Sequence, residues 1–218
     1  MIQRVYEQAK MANSLSDVVV ATDDERIQKA VIDFGGKALL TSGLHKTGTD
    51  RCAETVEKLF SHFDAAINIQ GDEPYIHPEQ IDELAECFGD NSVQIATLIK
   101  KINFTEDLMN KNRIKVVVDK NMNALYFSRS PIPFFNPGEN SPGFNPLNYY
   151  KHIGIYGYRI NVLKQLTELK QSSLEIAESL EQLRWLENGY KIKTRITDLE
   201  SVSIDVPEDL KKLINFAN

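Results

Sequence analysis

Cysteine and histidine are scarce in this chain, two and four in 218 residues, and none of them falls into a ligand pattern. Cys52 and Cys87 lie far apart and belong to no C-x-x-C or Cys/His cluster. Their placement argues against a zinc site and a disulfide framework, and for a reducing, cytoplasmic setting. His45, His62 and His77 show no metal spacing and read as surface or capping residues. Positive charge is not in excess either: 25 Lys and Arg against 31 Asp and Glu give a net charge of -6. With the cations scattered among acids, the electrostatic footprint of a duplex-binding protein is missing, so nucleic acid is not an expected partner. No apolar run reaches about 18 residues and no basic start leads into an apolar stretch, so neither a membrane span nor a secretory signal is expected. Internal repeats and low-complexity tracts are also absent.

What is present is an alternation. Short β-branched runs, "DVVVAT" (17–22), "KALLTS" (37–42), "AAINIQ" (65–70) and "VQIATLI" (93–99), are separated by the helical patterns "DERIQKAVIDFGG", "TDRCAETVEKLF" and "HPEQIDELAECFG". Runs apolar on both faces, such as 18–21, suit parallel strands covered by helices. The expectation is an α/β, doubly wound and mostly parallel sheet. From Arg113 the grammar changes: "RIKVVVD", a turn at "KNMN" and "ALYFSRSPIP" predict a hairpin. A loop rich in Pro, Gly and Asn (134–148) leads to the strand "KHIGIYGYR", helices around 161–169 and 175–188, and a last strand "YKIKTRI". One domain over 1–218 is expected, with a nucleotide-binding part at 1–112, an antiparallel part at 113–160 and a closing part at 161–218.

The chain opens on "MIQRVYEQAKMA", whose Ile2, Val5, Tyr6 and Ala9 form an apolar helical stripe with no strand before it. A doubly wound fold puts a strand and a phosphate-binding loop ahead of its first helix. The expectation is that this strand and loop are absent from the sequence, although an α/β sheet can also begin with a helix.

Two acids stand at strand ends. Asp72 in "INIQGDEPYI" follows the strand that ends at Gln70, and Asp205 in "VSIDVPEDL" follows an apolar run. The carboxyl edge of an α/β sheet is where ligands bind, and such acids can hold a hard cation. Each also has a plain alternative, Asp72 as a turn former before Pro74 and Asp205 as a helix cap before Pro207.

The stretches "VVVATDDERI", "HKTGTDRCAE", "INIQGDEPYI", "IKVVVD", "ALYFSRSPIPF", "HIGIYGYR", "LEQLRWLENGYKI" and "SIDVPEDL" resemble, in order and over nearly the whole chain, the 3-deoxy-manno-octulosonate cytidylyltransferases, also called CMP-Kdo synthetases. The sequence departs from them at its beginning, which stands just after where their triphosphate-gripping loop would end. The resemblance implies transfer of CMP from CTP to the anomeric hydroxyl of Kdo, an acidic eight-carbon sugar, with release of pyrophosphate, in lipopolysaccharide biosynthesis. CTP and Kdo are thus the implied partners, with no membrane involved. It further implies Mg²⁺ held by Asp72 and Asp205 as the catalytic carboxylates. A chain without the triphosphate loop is expected to turn over slowly.

The same resemblance implies Gly48 and Arg51 as cytosine-side contacts, with Gln70 beside them; by the residues alone "LHKTGTDR" could equally be a turn capped by Thr49 or Asp50. Arg129 is implied as a partner of the sugar carboxylate. His152 and Tyr156, four apart on one strand, share a face and are implied sugar contacts. Glu181 and Gln182 match sugar-side positions, and on one helix only one of two neighbours should point inward, with Glu181 preferred. The resemblance also implies a homodimer formed through 113–158, where Phe134, Phe135, Tyr149 and Tyr150 are expected to be exposed. Two alternatives remain: a CMP-sialic acid synthetase-like enzyme, which would differ at "ALYFSRSPIP" and "HIGIYGYR", and a non-catalytic sugar-binding remnant.

Overall fold

Apolar runs and amphipathic stretches alternate through the first hundred residues, and the backbone follows them. The structure, a computed structural model, describes residues 1–59, 62–134 and 149–200. Its first half runs α1 (Ile2–Met11), β1 (Val20–Thr22), α2 (Glu25–Asp33), β2 (Ala38–Leu40), α3 (Gly48–Leu59), β3 (Ala65–Asn68), α4 (Pro78–Glu86) with a 3-10 turn at Cys87–Gly89, and β4 (Ile95–Lys101). Side chains set the helix starts. Asp24 accepts the Arg26 N–H at 2.8 Å at the start of α2. At α3 the cap is Thr47, not the expected Thr49 or Asp50: Thr47 Oγ1 accepts from Asp50 N–H at 3.1 Å while Asp50 Oδ2 accepts from Thr47 N–H at 3.3 Å. This reciprocal box satisfies two orphan amides and leaves the Thr49 hydroxyl free to turn elsewhere.

The second half runs α5 (Thr105–Met109), β5 (Lys115–Val118), β6 (Ala124–Ser128), β7 (Tyr150–Arg159), α6 (Ile160–Thr167), α7 (Ser173–Glu178), α8 (Gln182–Glu187) and β8 (Ile192–Ile196). The hairpin expected at 113–128 is β5–β6, its turn held by Asp119 Oδ1, which accepts from the N–H groups of Asn121 and Asn123 at 2.8 Å. The single helix predicted over 175–188 is two helices, because Ser179 adopts a left-handed φ of 54°. That break turns α8 onto the sheet.

β1 and β2 form a parallel pair of their own, while the larger sheet has the order β6-β5-β7-β4-β8, with β3 also paired to β7. The α/β class is as expected, and the sheet is mixed: β4 and β8 are parallel, but β7 runs antiparallel to β3, β4 and β5. Period-two alternation divides β4 between two cores. Ile95 and Ile99 pack with Phe127, Tyr158, Leu163 and Trp185, and Ala96 and Leu98 pack with Ile81, Leu84 and Ile153 on the opposite face. Of the aromatics expected on a dimer surface, Phe134 is 83% exposed, but Tyr149 is buried with Ile102 and Leu108 and Tyr150 is half-buried. Tyr149 packs the start of β7 onto the residues after β4, and Tyr150 packs against the core that holds Phe127 and Trp185. Phe135 lies outside the described residues. Among those residues no helix is long and apolar enough to cross a membrane.

α7 and α8 are locked by a buried ion pair, Arg184 Nε and Nη2 to Glu175 at 2.7 and 2.5 Å. Burial works to raise the Glu175 pKa, but the Arg184 hydrogen bonds outweigh it and hold the carboxyl below its usual 4.5. A lowered folded pKa means that the pair's contribution is complete above pH 4.5 and fades as pH falls through the folded value. Replacing Glu175 by Gln leaves a buried guanidinium without its counter-charge. We expect Glu175→Gln to lose about 3 kcal/mol at pH 7 and to lose the acid dependence this pair gives. Denaturation followed by the fluorescence of Trp185, the single tryptophan, reads both.

Candidate active site

Three strand ends meet at the first turn of α3. Arg51 Nη1 donates to Thr41 Oγ1 at 2.8 Å and pairs with Asp23 at 3.1 Å, residues just past β2 and β1. A Cβ on Gly48 would stand 3.3 Å from Asn68 Nδ2 and 3.4 Å from Gln70 Nε2, at the end of β3. Gly48, Arg51 and Gln70 are therefore brought together. Because β3 and β4 are both antiparallel to β7, they end at the same edge. Lys100 near the end of β4 and Lys151 near the start of β7 both hold Glu200 there, at 3.2 and 2.5 Å.

The two adjacent carboxylates after β3 part company. Glu73 is 8% exposed, with Oε1 only 3.3 Å from where a Cβ on Gly154 of β7 would lie; the missing side chain makes room for it. Asp72 stays half-buried at the edge. Among the described residues no three His, Cys, Asp or Glu side chains converge in a way that could hold a metal ion. A Mg²⁺ ion asks for less, since it commonly takes one or two carboxylates and completes its shell with water and phosphate oxygens. Asp72 fits that role. Asp205 lies outside the described residues.

On the other side of Gly48 a polar cluster faces the same edge. Thr49 Oγ1 donates to Glu181 Oε2 at 2.9 Å and lies 3.4 Å from the Tyr158 hydroxyl. Burial raises the Glu181 pKa against the opposing pull of the Thr49 hydrogen bond. Tyr156 joins through its rings, 5.0 Å from His152 and 5.1 Å from Trp185. Its hydroxyl is buried and has no protein partner among the described residues. Burial drives both tyrosine pKa values well up and pushes His152 down to about 3. Thr97 Oγ1 donates its one proton to the Ile155 carbonyl at 2.7 Å, so the 2.9 Å contact from His152 Nε2 must be a donation from the ring. His152 is a neutral imidazole that carries its proton on Nε2.

The expected face-sharing of His152 and Tyr156 is present, across a register shift in β7 opposite Thr97 and Leu98. The rule that one of Glu181 and Gln182 must face away does not apply. Glu181 precedes the helix as the N-cap of α8, so it and the 6%-exposed Gln182 are both drawn inward. Arg129 is turned to backbone: its Nε donates to Glu178 O at 2.8 Å, Nη1 to Lys111 O at 3.3 Å and Nη2 to Ser179 O at 3.4 Å. In this conformation it braces the end of α7. Thr49, Asn68, Thr97 and Tyr158 are the site residues that sequence reasoning missed. Asn68 carried a signal, since Asn68 and Gln70 are two apart on one strand and share a face. The others depend on which helix and strand pack together.

No activated nucleophile stands among these groups. Cys52 is the nearby thiol, and burial pushes it up to about 12, far from the thiolate a covalent mechanism needs. The arrangement is one of neutral hydrogen-bonding groups and a few carboxylates at a sheet edge, suited to hold a polyhydroxylated ligand beside a cation. Thr49→Val removes the larger of the two threonine hydrogen bonds, from Thr49 and Thr47, that offset burial at Glu181. We expect the Glu181 pKa to rise further, read from the carboxyl carbon shift in an NMR titration; an unchanged or lower value would count against this geometry.

The cytidylyltransferase family profile matches residues 1–193. A Bacteroides thetaiotaomicron protein named 3-deoxy-manno-octulosonate cytidylyltransferase is 56% identical over 99% of this chain and 87% of its own length. A Parabacteroides distasonis protein of the same name is 53% identical with the same coverage. A solved CMP:2-keto-3-deoxy-manno-octonic acid synthetase complexed with CTP superposes with a TM-score of 0.90 at 40% identity, over 99% of this chain and 86% of that one. A putative glucose-1-phosphate thymidylyltransferase from Bacillus anthracis, 15% identical with a TM-score of 0.63, shares the fold alone. Matched from end to end by these relatives, and with their fold, the chain belongs to the cytidylyltransferase family.

Proposed function

We propose that this protein transfers CMP from CTP to the anomeric hydroxyl of Kdo, releasing pyrophosphate and supplying an activated sugar for lipopolysaccharide synthesis. The observation that carries this reading is 56% identity over 99% of the chain to a protein named for that reaction. The sheet-edge cluster is compatible with it. In the reaction a bond forms between the anomeric oxygen and the α-phosphorus, the bond to pyrophosphate breaks, and the hydroxyl proton leaves to water. Charge grows on phosphate oxygens, so the protein's task is positioning and neutralisation.

In this reading Gly48, Arg51 and Gln70 form the nucleotide side, and His152, Tyr156, Glu181 and Gln182 the sugar side. Neutral His152 and Tyr156 offer hydrogen bonds without adding charge, their rings tilted against each other with centroids 5.0 Å apart. Thr49 fixes the Glu181 carboxylate where it can accept from a sugar hydroxyl. Asp72, with Asp205 as the second proposed ligand, would hold Mg²⁺, which when bound draws charge from phosphate oxygens and lowers the pKa of a hydroxyl in its shell.

Pyrophosphate release tests the reading: it should require CTP, Mg²⁺ and Kdo together, and N-acetylneuraminate should not replace Kdo. Release with the nine-carbon sugar and none with Kdo would transfer the chain to the sialic acid branch. Asp72→Asn keeps the side-chain volume and removes one charge. Its turnover should fall by about a hundredfold or more with the melting temperature unchanged, and near-normal rates at saturating Mg²⁺ would remove Asp72 from the metal site.

A further inference from the structure

β7 changes neighbours in mid-course. Tyr150 and Lys151 pair with Val116 and Lys115 of β5, whereas the residues from Tyr156 to Arg159 pair with β3. Along the other edge β4 runs past both parts, with Leu98 opposite Ile153 and Thr97 opposite Tyr156. Gly154 and Ile155 therefore have no opposite residue on β4, and they form a two-residue bulge where β5 gives way to β3. The bulge changes distances on the sheet. On a regular strand His152 and Tyr156, four residues apart, would stand about 13 Å from each other. Here they lie opposite Ile99 and Thr97, positions about 7 Å apart on the same face of β4. Their rings consequently meet, with centroids 5.0 Å apart.

A bulge leaves ladder carbonyls to be satisfied, and one side chain meets them. Thr97 is fully buried and is the one hydroxyl residue in the otherwise apolar run Ile95–Ile99. Its Oγ1 donates to Ile155 O at 2.7 Å, lies 3.3 Å from Ile153 O, and stands 2.9 Å from His152 Nε2. Atoms from both sides of the bulge thus converge on a single hydroxyl. Because its one proton is used at Ile155, the histidine ring supplies the proton of the third contact. The other ring nitrogen, Nδ1, then carries a lone pair and no hydrogen. Gly154 completes the arrangement: a Cβ there would stand 3.3 Å from Glu73 Oε1, so the absent side chain lets the bulge close against that carboxylate.

We propose that Thr97 is the positioning residue of the sugar side: through the bulge it sets the separation of His152 and Tyr156, and through Nε2 it presents Nδ1 as an acceptor for a sugar hydroxyl. This role rests on the assignment of His152 and Tyr156 to the sugar under the proposed function. Tyr156, whose buried hydroxyl has no protein partner among the described residues, supplies a donor beside that acceptor. An acceptor and a donor so placed match two neighbouring hydroxyl groups, one giving its proton and the other receiving one. A ligand that lacks either leaves a buried group unmet and binds more weakly.

Thr97→Val keeps the shape and removes the hydroxyl, and Thr97→Ser keeps the hydroxyl. Proton–nitrogen NMR correlation spectra of the His152 ring report which nitrogen carries the proton. The unsubstituted chain and Thr97→Ser should show it on Nε2 alone, and Thr97→Val should lose that preference. In turnover, Thr97→Val should raise the KM for Kdo about tenfold with the KM for CTP unchanged, and Thr97→Ser should restore it. A loss of folded enzyme alone would not divide the two KM values. A Thr97→Val whose tautomer and Kdo KM match the unsubstituted chain overturns the proposal. So does a proton on Nδ1 in the unsubstituted chain. Should Thr97→Val not fold, the unsubstituted chain is titrated with Kdo in the presence of Mg²⁺ and a CTP analogue bridged by methylene between its α- and β-phosphorus. The Nδ1 resonance should move while the Nε2 proton stays, and a fixed Nδ1 resonance at saturating Kdo overturns the proposal. Absence of any Kdo-dependent turnover in the unsubstituted chain overturns the proposed function instead, and the tautomer then decides the role of Thr97. Fixed in the presence of the hydroxyl and released in Thr97→Val, it supports that role; unchanged in all three chains, it overturns it.

Discussion

β7 is bonded to β4 along one edge and, along the other, to β5 at its start and β3 at its end. Everything else in the larger sheet is placed by that one antiparallel strand. Its side chains alternate between the two cores, with Tyr156 and Tyr158 against Trp185 and with Ile153 and Ile155 against Leu84 and Ile81. The packing is close: a Cβ on Gly157 would come within 2.5 Å of the Phe88 ring, so any side chain there must displace that ring. Arg159 closes the same corner, stacked over Phe88 at 5.3 Å and donating to Phe88 O at 2.6 Å.

The edge that carries the candidate site is a consequence of that pairing. β7 carries His152 and Tyr156 to the place where β3 delivers Asn68, Gln70 and Asp72, and Gly154 admits Glu73 between them. α3 then adds Gly48, Thr49 and Arg51 from the opposite flank. Burial does the electrostatic work. It keeps His152 and the tyrosines uncharged and raises the Glu181 pKa against the pull of its threonine hydrogen bonds, while Asp72 and Arg51 stand nearer solvent. Low dielectric strengthens each hydrogen bond here and penalises each one left unmade.

Away from that edge, charged groups serve the scaffold. Lys115 is fully buried, and its ammonium donates to the carbonyls of Asn110 and Arg129, while Glu178 accepts from Ser128 and from the Arg129 backbone. Together with the Arg129 guanidinium, these bonds fasten the hairpin to the end of α7. An arginine that looks like an anion binder in the one-dimensional pattern is, in this conformation, turned to three carbonyls, two of them at the left-handed turn of Ser179.

The sequence by itself determined the order and type of most elements, because helical and strand periods differ; the short helix at Thr105–Met109 and the division of 175–188 into two helices were not among them. It also placed Asp72 and Gln70 at a strand end, and the spacing of His152 and Tyr156 on one face. What it could not specify were the pairings that depend on distant segments. A strand's neighbours are chosen by which edges meet in space, so only the tertiary structure decided that β7 runs antiparallel through the sheet and that β3 pairs with β7 rather than with β1. Likewise the role of Thr49 rests on Thr47 taking over the helix cap, and the inward turn of both Glu181 and Gln182 on a break in one predicted helix. Capping and burial are settled together by packing, and local preference alone ranks the candidates without choosing among them.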